Sequence, residues 1–134
     1  MTKYIKADEF YYPYQVKKAG YLAIEGDTFG SWQTEVPSDA EIIDYTGYSI
    51  APGLVDTHIH GFAGADVMDN SQESLETMSQ ALLGAGVTSF LPTGLTASFE
   101  TLDNICRTAA SFVGQESGAR IQGLFFEGPY FTKI

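Results

Sequence analysis

The sequence has few basic residues, a single cysteine and no long apolar run. Seven Lys and Arg stand against seventeen Asp and Glu, so the net charge of −10 has the wrong sign for binding a nucleic acid through its phosphates. The single cysteine, Cys106, excludes an intramolecular disulfide or a multi-cysteine metal site. No segment approaches the ~18 apolar residues of a membrane span, and the N-terminus lacks an apolar signal core. We therefore expect a cytoplasmic protein with no nucleic acid and no membrane as partner.

The chain divides by pattern into residues 1–51 and residues 52–134. The first part has short runs rich in Tyr, Phe and Ile, separated by turn residues such as Gly26 and Gly47, and these predict a small antiparallel β domain. The second part alternates strand and helix, which predicts an α/β fold with parallel strands. Its predicted strands are Leu54 to His60, Val87 to Leu91 and Ile121 to Phe126.

Local signals place two helices between these strands. Asn70 and Glu73 form a typical N-cap and N3 pair for a helix over roughly residues 71–83. Ser98 is the predicted N-cap of the second helix, on whose apolar face Cys106 is expected to pack. We expect Pro92 to close the second strand.

The two histidines of the chain, His58 and His60, lie near the carboxyl end of the first predicted parallel strand. At a period of two they share a face with Asp56, and two imidazoles on one face can bind a divalent metal, Zn or Fe first. Hydrogen bonds at a strand end would satisfy the same pair. Asp56 either orients a histidine or faces solvent.

The ends of the other two predicted parallel strands also carry polar residues. Ligand sites of parallel α/β folds gather beyond the carboxyl ends of the strands, where Thr93 and Glu127 follow the second and third strands. Glu127 comes directly after an apolar run. It is therefore either the first solvated residue after a buried strand or a metal ligand.

Several segments resemble a known family. APGLVDTHIHG, from Ala51, is similar to the first barrel strand of the amidohydrolase superfamily. HGFAGADVMD from His60, FLPT from Phe90 and FEGPYF from Phe126 narrow the resemblance to the N-acetylglucosamine-6-phosphate deacetylase family. The resemblance runs along the whole chain, but it reaches only about the first third of a family member's length.

The resemblance implies a fold and an activity. The fold is the first three strand-helix units of an amidohydrolase-type (β/α)8 barrel, preceded by a small β-sandwich-like domain; a closed barrel takes ~250 residues, so this chain is too short to close it. The activity is metal-dependent hydrolysis of the acetamido group of N-acetylglucosamine 6-phosphate to glucosamine 6-phosphate and acetate. The implied substrate is thus an amino-sugar phosphate, and the complete enzyme is expected to be a homodimer.

The resemblance also implies roles for matched residues. Glu127 would be the carboxylate ligand of a divalent metal, and His58 and His60 would bind a second one, so one or two ions are expected. No catalytic residue is assigned within this chain, because the aspartate of the family is expected beyond Ile134. Lys133 is not expected to act as a carboxylated lysine, since Glu127 takes that place.

Two other interpretations stay open. In the first interpretation, the 134-residue chain is a non-enzymatic fragment or assembly module. Three parallel strands leave an open edge, which is a poor basis for independent stability. Taken alone, the chain is predicted to be inactive in any case. In the second interpretation the protein is another amidohydrolase that acts on a cyclic amide, and a carboxylated lysine on the fourth strand, beyond Ile134, would be its sign.

Overall fold

The computed structural model describes residues 2–130. The chain forms two compact units, of which the first ends at Pro52 and the second begins at Gly53. In the described residues of the first unit, one sheet contains β1 (Lys3–Tyr12), β2 (Gln15–Lys17), β3 (Gly20–Glu25), β4 (Thr28–Gln33) and β5 (Glu41–Ile50). Its core is formed by Ala7, Phe10 and Leu22.

Strand direction in the first unit differs in part from the prediction. β1 pairs antiparallel with β2 and β3, but it pairs in parallel with β5. The expectation of a purely antiparallel sheet is therefore wrong at β5. Runs of β-branched and aromatic residues indicate where strands form, but they do not encode which neighbour a strand pairs with or in which direction.

The described residues of the second unit alternate strands and helices around a central strand. The elements are β6 (Leu54–Ile59), β7 (Gly61–Phe62), β8 (Ala65–Asp66), α1 (Gln72–Gly84), β9 (Val87–Gly94), α2 (Phe99–Phe112), β10 (Arg120–Ile121) and β11 (Phe125–Phe126). β9 pairs in parallel with β6, β10 and β11. β7 and β8 form a short antiparallel hairpin directly after β6. The predicted α/β order with parallel strands is confirmed.

Capping residues set where the two helices begin. Ser98 accepts a hydrogen bond from the backbone N–H of Thr101 and caps α2 as predicted. α1 is capped by Ser71, whose hydroxyl accepts from the N–H of Ser74 at 3.0 Å, and not by Asn70 as predicted. Asn70 instead adopts the left-handed conformation (φ 54°) that ends a short 3-10 turn, a conformation that Asn tolerates better than most residues.

The core of the second unit lies between β9 and one face of each helix. Its buried side chains include Leu75, Met78, Leu82, Phe90, Ile105, Ala109 and Phe112. Cys106 is only partly buried at the margin of this face. Within residues 2–130, neither helix has the length and apolar character needed to cross a membrane.

β9 does not end at Pro92 as predicted, but continues to Gly94. The carbonyls of Phe90 and Gly94 accept hydrogen bonds from the N–H groups of Gln122 and Glu127, at 3.1 and 2.9 Å. Since alternate residues of a strand face the same neighbour, the missing N–H of Pro92 faces the gap between β10 and β11. A proline is tolerated where no ladder bond is needed. The missing N–H of Pro92 also explains why the single third strand that the sequence predicts is split into β10 and β11.

Candidate metal centre

The register between β6 and β9 shifts between Asp56 and Ile59, an interval that contains His58. Asp56 pairs with Phe90 and Ile59 pairs with Pro92, so β6 uses three residue steps where β9 uses two. A β-bulge of this kind inserts one residue and re-aims the side chains around it. The strict alternation that the sequence predicts from Asp56 to His60 is therefore interrupted.

Asp56 contacts the backbone of the bulge. Its Oδ1 accepts a hydrogen bond from the backbone N–H of His58 at 3.0 Å, a local turn contact that is typical of Asp. Among the hydrogen bonds of residues 2–130, none joins this carboxylate to an imidazole ring. A role for Asp56 in orienting a ring therefore stays a prediction.

The structure brings together His58, His60 and Glu127. The Nε2 atoms of His58 and His60 lie 3.3 and 3.1 Å from Oε2 of Glu127. Each residue offers one ligand atom, and these atoms all lie within 4.8 Å of one another. The two imidazole rings stand nearly perpendicular, at 82° with centroids 5.1 Å apart. Two imidazoles from the end of β6 and a carboxylate from the end of β11, the strands on either side of β9, thus converge at the carboxyl edge of the sheet.

A backbone carbonyl determines the tautomer of His60. Nδ1 of His60 lies 2.9 Å from the carbonyl oxygen of Thr93, and because a carbonyl can only accept, Nδ1 carries the proton. In a neutral ring the lone pair of Nε2 then faces Oε2 of Glu127, which is also an acceptor. The two atoms lie 3.1 Å apart, and a divalent cation would be bound by both of them. Metal-binding histidines commonly donate their other ring N–H in this way.

The backbone of Glu127 is held on both sides. Its N–H donates to the carbonyl of Gly94 at 2.9 Å, and its own carbonyl accepts from the hydroxyl of Thr96 at 3.0 Å. Gly94 is required for close packing here, because a Cβ at that position would lie 2.7 Å from the ring of Phe126. The place of the carboxylate is therefore set by β9 and by the loop that follows it.

Two further acidic residues lie after the histidines, but they stabilise local structure. Asp66 accepts a hydrogen bond from the N–H of Met68 at 2.8 Å. Asp69 accepts from the backbone N–H of Asp66 and from the hydroxyl of Ser74, and these bonds, the first above all, hold the pKa of the Asp69 carboxyl below its usual range. The two residues form a reciprocal capping box. Asp66 and Asp69 therefore support the loop and the short helical turn that precede α1.

Some contacts that support the site are not predicted from the sequence. Thr93 is predicted only as a polar residue at a strand end, and no role is predicted for Thr96 or for Phe125, whose ring centroid lies 5.1 Å from that of His58. The usable signal was the hydroxyl of Thr93 at the end of a buried strand, since a buried hydroxyl can both donate to and accept from the backbone. Lys133 lies outside the described residues.

Comparisons with known proteins place this chain in a family. The family described as "Amidohydrolase family" matches residues 49–132. The N-acetylglucosamine-6-phosphate deacetylase of Vibrio furnissii is 40% identical over 95 residues, covering 70% of this chain and 24% of that protein. The N-acetylgalactosamine-6-phosphate deacetylase of Escherichia coli O157:H7 is 34% identical over 97 residues, covering 72% of this chain and 26% of that protein.

A solved structure agrees in fold. The crystal structure of N-acetylglucosamine-6-phosphate deacetylase from Pasteurella multocida matches with a TM-score of 0.84 and 26% identity, covering 98% of this chain and 35% of that chain. The chain thus spans about a quarter to a third of the length of the proteins it matches. On the match to more than half of its residues and on this shared fold, the chain belongs to the amidohydrolase family.

Proposed function

We propose that the full-length gene product containing these residues removes the acetyl group of N-acetylglucosamine 6-phosphate. The products are glucosamine 6-phosphate and acetate. The observation that supports this most is the convergence of His58, His60 and Glu127 in a chain whose relatives bear the name of that deacetylase. The 134-residue chain by itself is proposed to be inactive.

The three converging residues fit a divalent cation. Two imidazole nitrogens and one carboxylate oxygen suit Zn²⁺ or Fe²⁺. Ligand atoms that each lie ~2.1 Å from a tetrahedral zinc ion are ~3.4 Å apart, close to the 3.1 and 3.3 Å found between Glu127 and the two imidazoles. When bound, such an ion supplies an electrophile for the amide carbonyl and lowers the pKa of water toward ~7.

In this proposal, the side chains of this chain bind the metal ion and orient its ligand atoms. His60 presents the lone pair of Nε2, because Nδ1 is engaged by Thr93. Glu127 supplies one negative charge, so that a site with a divalent ion keeps a net positive charge. A local positive charge attracts an anionic sugar phosphate even though the chain carries −10 overall. Glu127 is proposed to hold the metal and not to shuttle protons.

The finer architecture and assembly belong to the same proposal. We propose that β6 and β9 are the first two strands of a (β/α)8 barrel and that β10 and β11 together form the third. The first unit is proposed to be part of a β-sandwich-like domain. The parallel order around β9 and the TM-score of 0.84 to the Pasteurella multocida structure support this. The complete enzyme is proposed to be a homodimer with one or two ions per subunit.

Acetate release from the full-length protein tests the activity. We expect zinc-loaded protein to release acetate from N-acetylglucosamine 6-phosphate with a kcat/KM at least ~100-fold above that for unphosphorylated N-acetylglucosamine. Metal analysis of the same preparation gives the number of ions per subunit. Hydrolysis of a cyclic amide such as dihydrouracil, with no acetate from the sugar phosphate, would contradict the proposal.

A second substrate is favoured by one observation. The relative from Escherichia coli O157:H7, 34% identical, is named for N-acetylgalactosamine 6-phosphate, which differs only in the configuration at C4 of the sugar. The same assay with both epimers decides between them. A higher kcat/KM for the galactosamine epimer would make it the substrate, while the metal chemistry of the site would stay the same.

A further inference from the structure

Thr93 lies in β9 one residue after Pro92, the partner of Ile59 at the end of the bulge, and its side chain is fully buried. Burying a hydroxyl is costly unless both its donor and its acceptor are used. Here both are used: Oγ1 accepts a hydrogen bond from the backbone N–H of Ile59 at 3.0 Å and donates to the carbonyl of Leu91 at 3.1 Å. The hydroxyl therefore links the N–H of Ile59 on β6 to the carbonyl of Leu91 on β9 at the end of the bulge.

Thr93 contacts the histidine segment at a second point. Its carbonyl accepts from Nδ1 of His60 at 2.9 Å. Ile59 lies between the two histidines in sequence, so one residue of β9 holds both the backbone of the pair and one of the rings. Among the described residues the second fully buried hydroxyl, that of Ser79, makes its contacts elsewhere, with the carbonyl of Ala119 and the N–H of Gly118.

We propose that Thr93 is a positioning residue for metal binding by His58 and His60. Its hydroxyl sets the path of the backbone at Ile59, and its carbonyl fixes the ring of His60 with Nε2 toward Glu127. The inference rests on the proposed function, since it requires that the histidine pair binds a metal. Thr93 itself does not touch the metal or the substrate in this proposal.

The hydroxyl and the shape of Thr93 can be separated by substitution. Thr93→Val keeps the size and β-branching but removes the hydrogen bonds that the hydroxyl makes to the N–H of Ile59 and to the carbonyl of Leu91. Thr93→Ser keeps the hydroxyl and loses one methyl group. A change that follows the hydroxyl and not the methyl group therefore reports the hydrogen bonds.

Zinc affinity of the metal-free full-length protein, measured by competition with a chromogenic chelator, tests the proposal. Losing a group that orients a metal ligand typically costs 10–100-fold in affinity, so we expect Thr93→Val to raise the zinc Kd by ~10–100-fold and Thr93→Ser by less than ~3-fold. Ser79→Ala is the matched control. It removes a buried hydroxyl and should lower the thermal midpoint while leaving the zinc Kd within ~2-fold of the wild type.

A double variant, His58→Ala with His60→Ala, separates the two ways in which the proposal can fail. If the double variant binds zinc weakly and Thr93→Val binds it as the wild type does, the role of Thr93 is wrong and the metal site stands. If the double variant binds zinc as the wild type does, the metal site itself is wrong and the role of Thr93 falls with it.

If Thr93→Val does not fold, a measurement on the wild type still tests the proposal. Nitrogen NMR of zinc-loaded protein labelled at histidine reports which ring nitrogen of His60 binds the metal, with the signal assigned by its loss in His60→Ala. We expect coordination through Nε2 and a proton on Nδ1. Coordination through Nδ1 would overturn the proposal, because that nitrogen could not then donate to Thr93.

Discussion

His58, His60 and Glu127 differ in how firmly each is held before any ligand binds. The ring of His60 is anchored through Nδ1, and its side chain is 33% exposed, whereas those of His58 and Glu127 are 47% and 44% exposed. A side chain with more freedom loses more conformational entropy when it is fixed. We therefore regard His60 as the preorganised ligand, to which the other two side chains adjust.

Glu127 carries the only formal negative charge among the three, and this makes it the residue to test by a charge change. Glu127→Gln keeps the size of the side chain but removes the charge that balances a divalent cation. Since even indirect support of a ligand is worth 10–100-fold, we expect zinc affinity to fall by at least ~100-fold, with metal content and acetate release falling together. Elemental analysis and the acetate assay on the same full-length preparation measure both.

A second exposed carboxylate supplies the control for this charge change. Glu100 lies in the first turn of α2 and is exposed; Glu100→Gln should leave metal content and activity as in the wild type. Full metal occupancy with normal turnover in Glu127→Gln would show that the carboxylate has another role.

The boundaries of strands and helices were predicted correctly where they depend on local sequence signals. Ser98 caps α2 through its own side chain three residues along the chain, so a short stretch of sequence contains the whole interaction. The cap of α1 shows the limit of such signals: Asn70 and Ser71 are both good N-cap residues, and the preceding turn takes Asn70. The end of β9 could not be placed from Pro92, because the effect of a proline depends on which neighbour its nitrogen faces.

The candidate site was predictable in its members but not in its support. Parallel strands bring their carboxyl ends to one edge of a sheet, so the order of elements predicted that His58, His60 and Glu127 would lie at that edge. Their roles as metal ligands came from the family resemblance and stay a prediction. The bulge and the hydrogen bond from Ile59 to Thr93 join residues 34 positions apart. These contacts follow from the register between two strands, which local patterns do not encode.

The packing of β11 against β9 gives a prediction at the level of these two strands. Gly94→Ala would place a Cβ 2.7 Å from the ring of Phe126. The ring and β11, which directly precedes Glu127, must therefore shift. Overpacking of this kind costs ~1–3 kcal/mol. We expect a loss of that size in the free energy of unfolding of the full-length protein, measured with urea, together with weaker zinc binding.

The matched control for this change is a glycine with free space around it. Gly84 is the last residue of α1, and a Cβ added there would meet no atom within 4 Å. Gly84→Ala should leave zinc binding unchanged and should stabilise the protein by up to ~1 kcal/mol through a better helix propensity. Equal stability of the Gly94→Ala variant and the wild type would show that the Phe126 ring adjusts without cost.

At the scale of the whole molecule, the parallel sheet of the second unit has two open sides. In residues 2–130, β6 pairs only with β9, and so do β10 and β11. Leu54 and Val55 on β6 are 62% and 63% exposed, which is unusual for a parallel strand, because such strands are normally covered on both faces. Unpaired strand edges next to exposed apolar side chains favour association with another chain.

This arrangement predicts how residues 1–134 behave when they are produced alone. We expect residues 1–134 to self-associate in a concentration-dependent way, because the strand edges of the second unit are free. We also expect them to bind more of the dye ANS per mole of protein than the full-length gene product does, because Leu54 and Val55 are exposed. Residues 1–134 should release no acetate from the sugar phosphate. Sedimentation equilibrium and dye fluorescence on both proteins measure the difference. A monomeric piece with no excess dye binding and a single cooperative unfolding transition would mean that the two open sides do not limit stability.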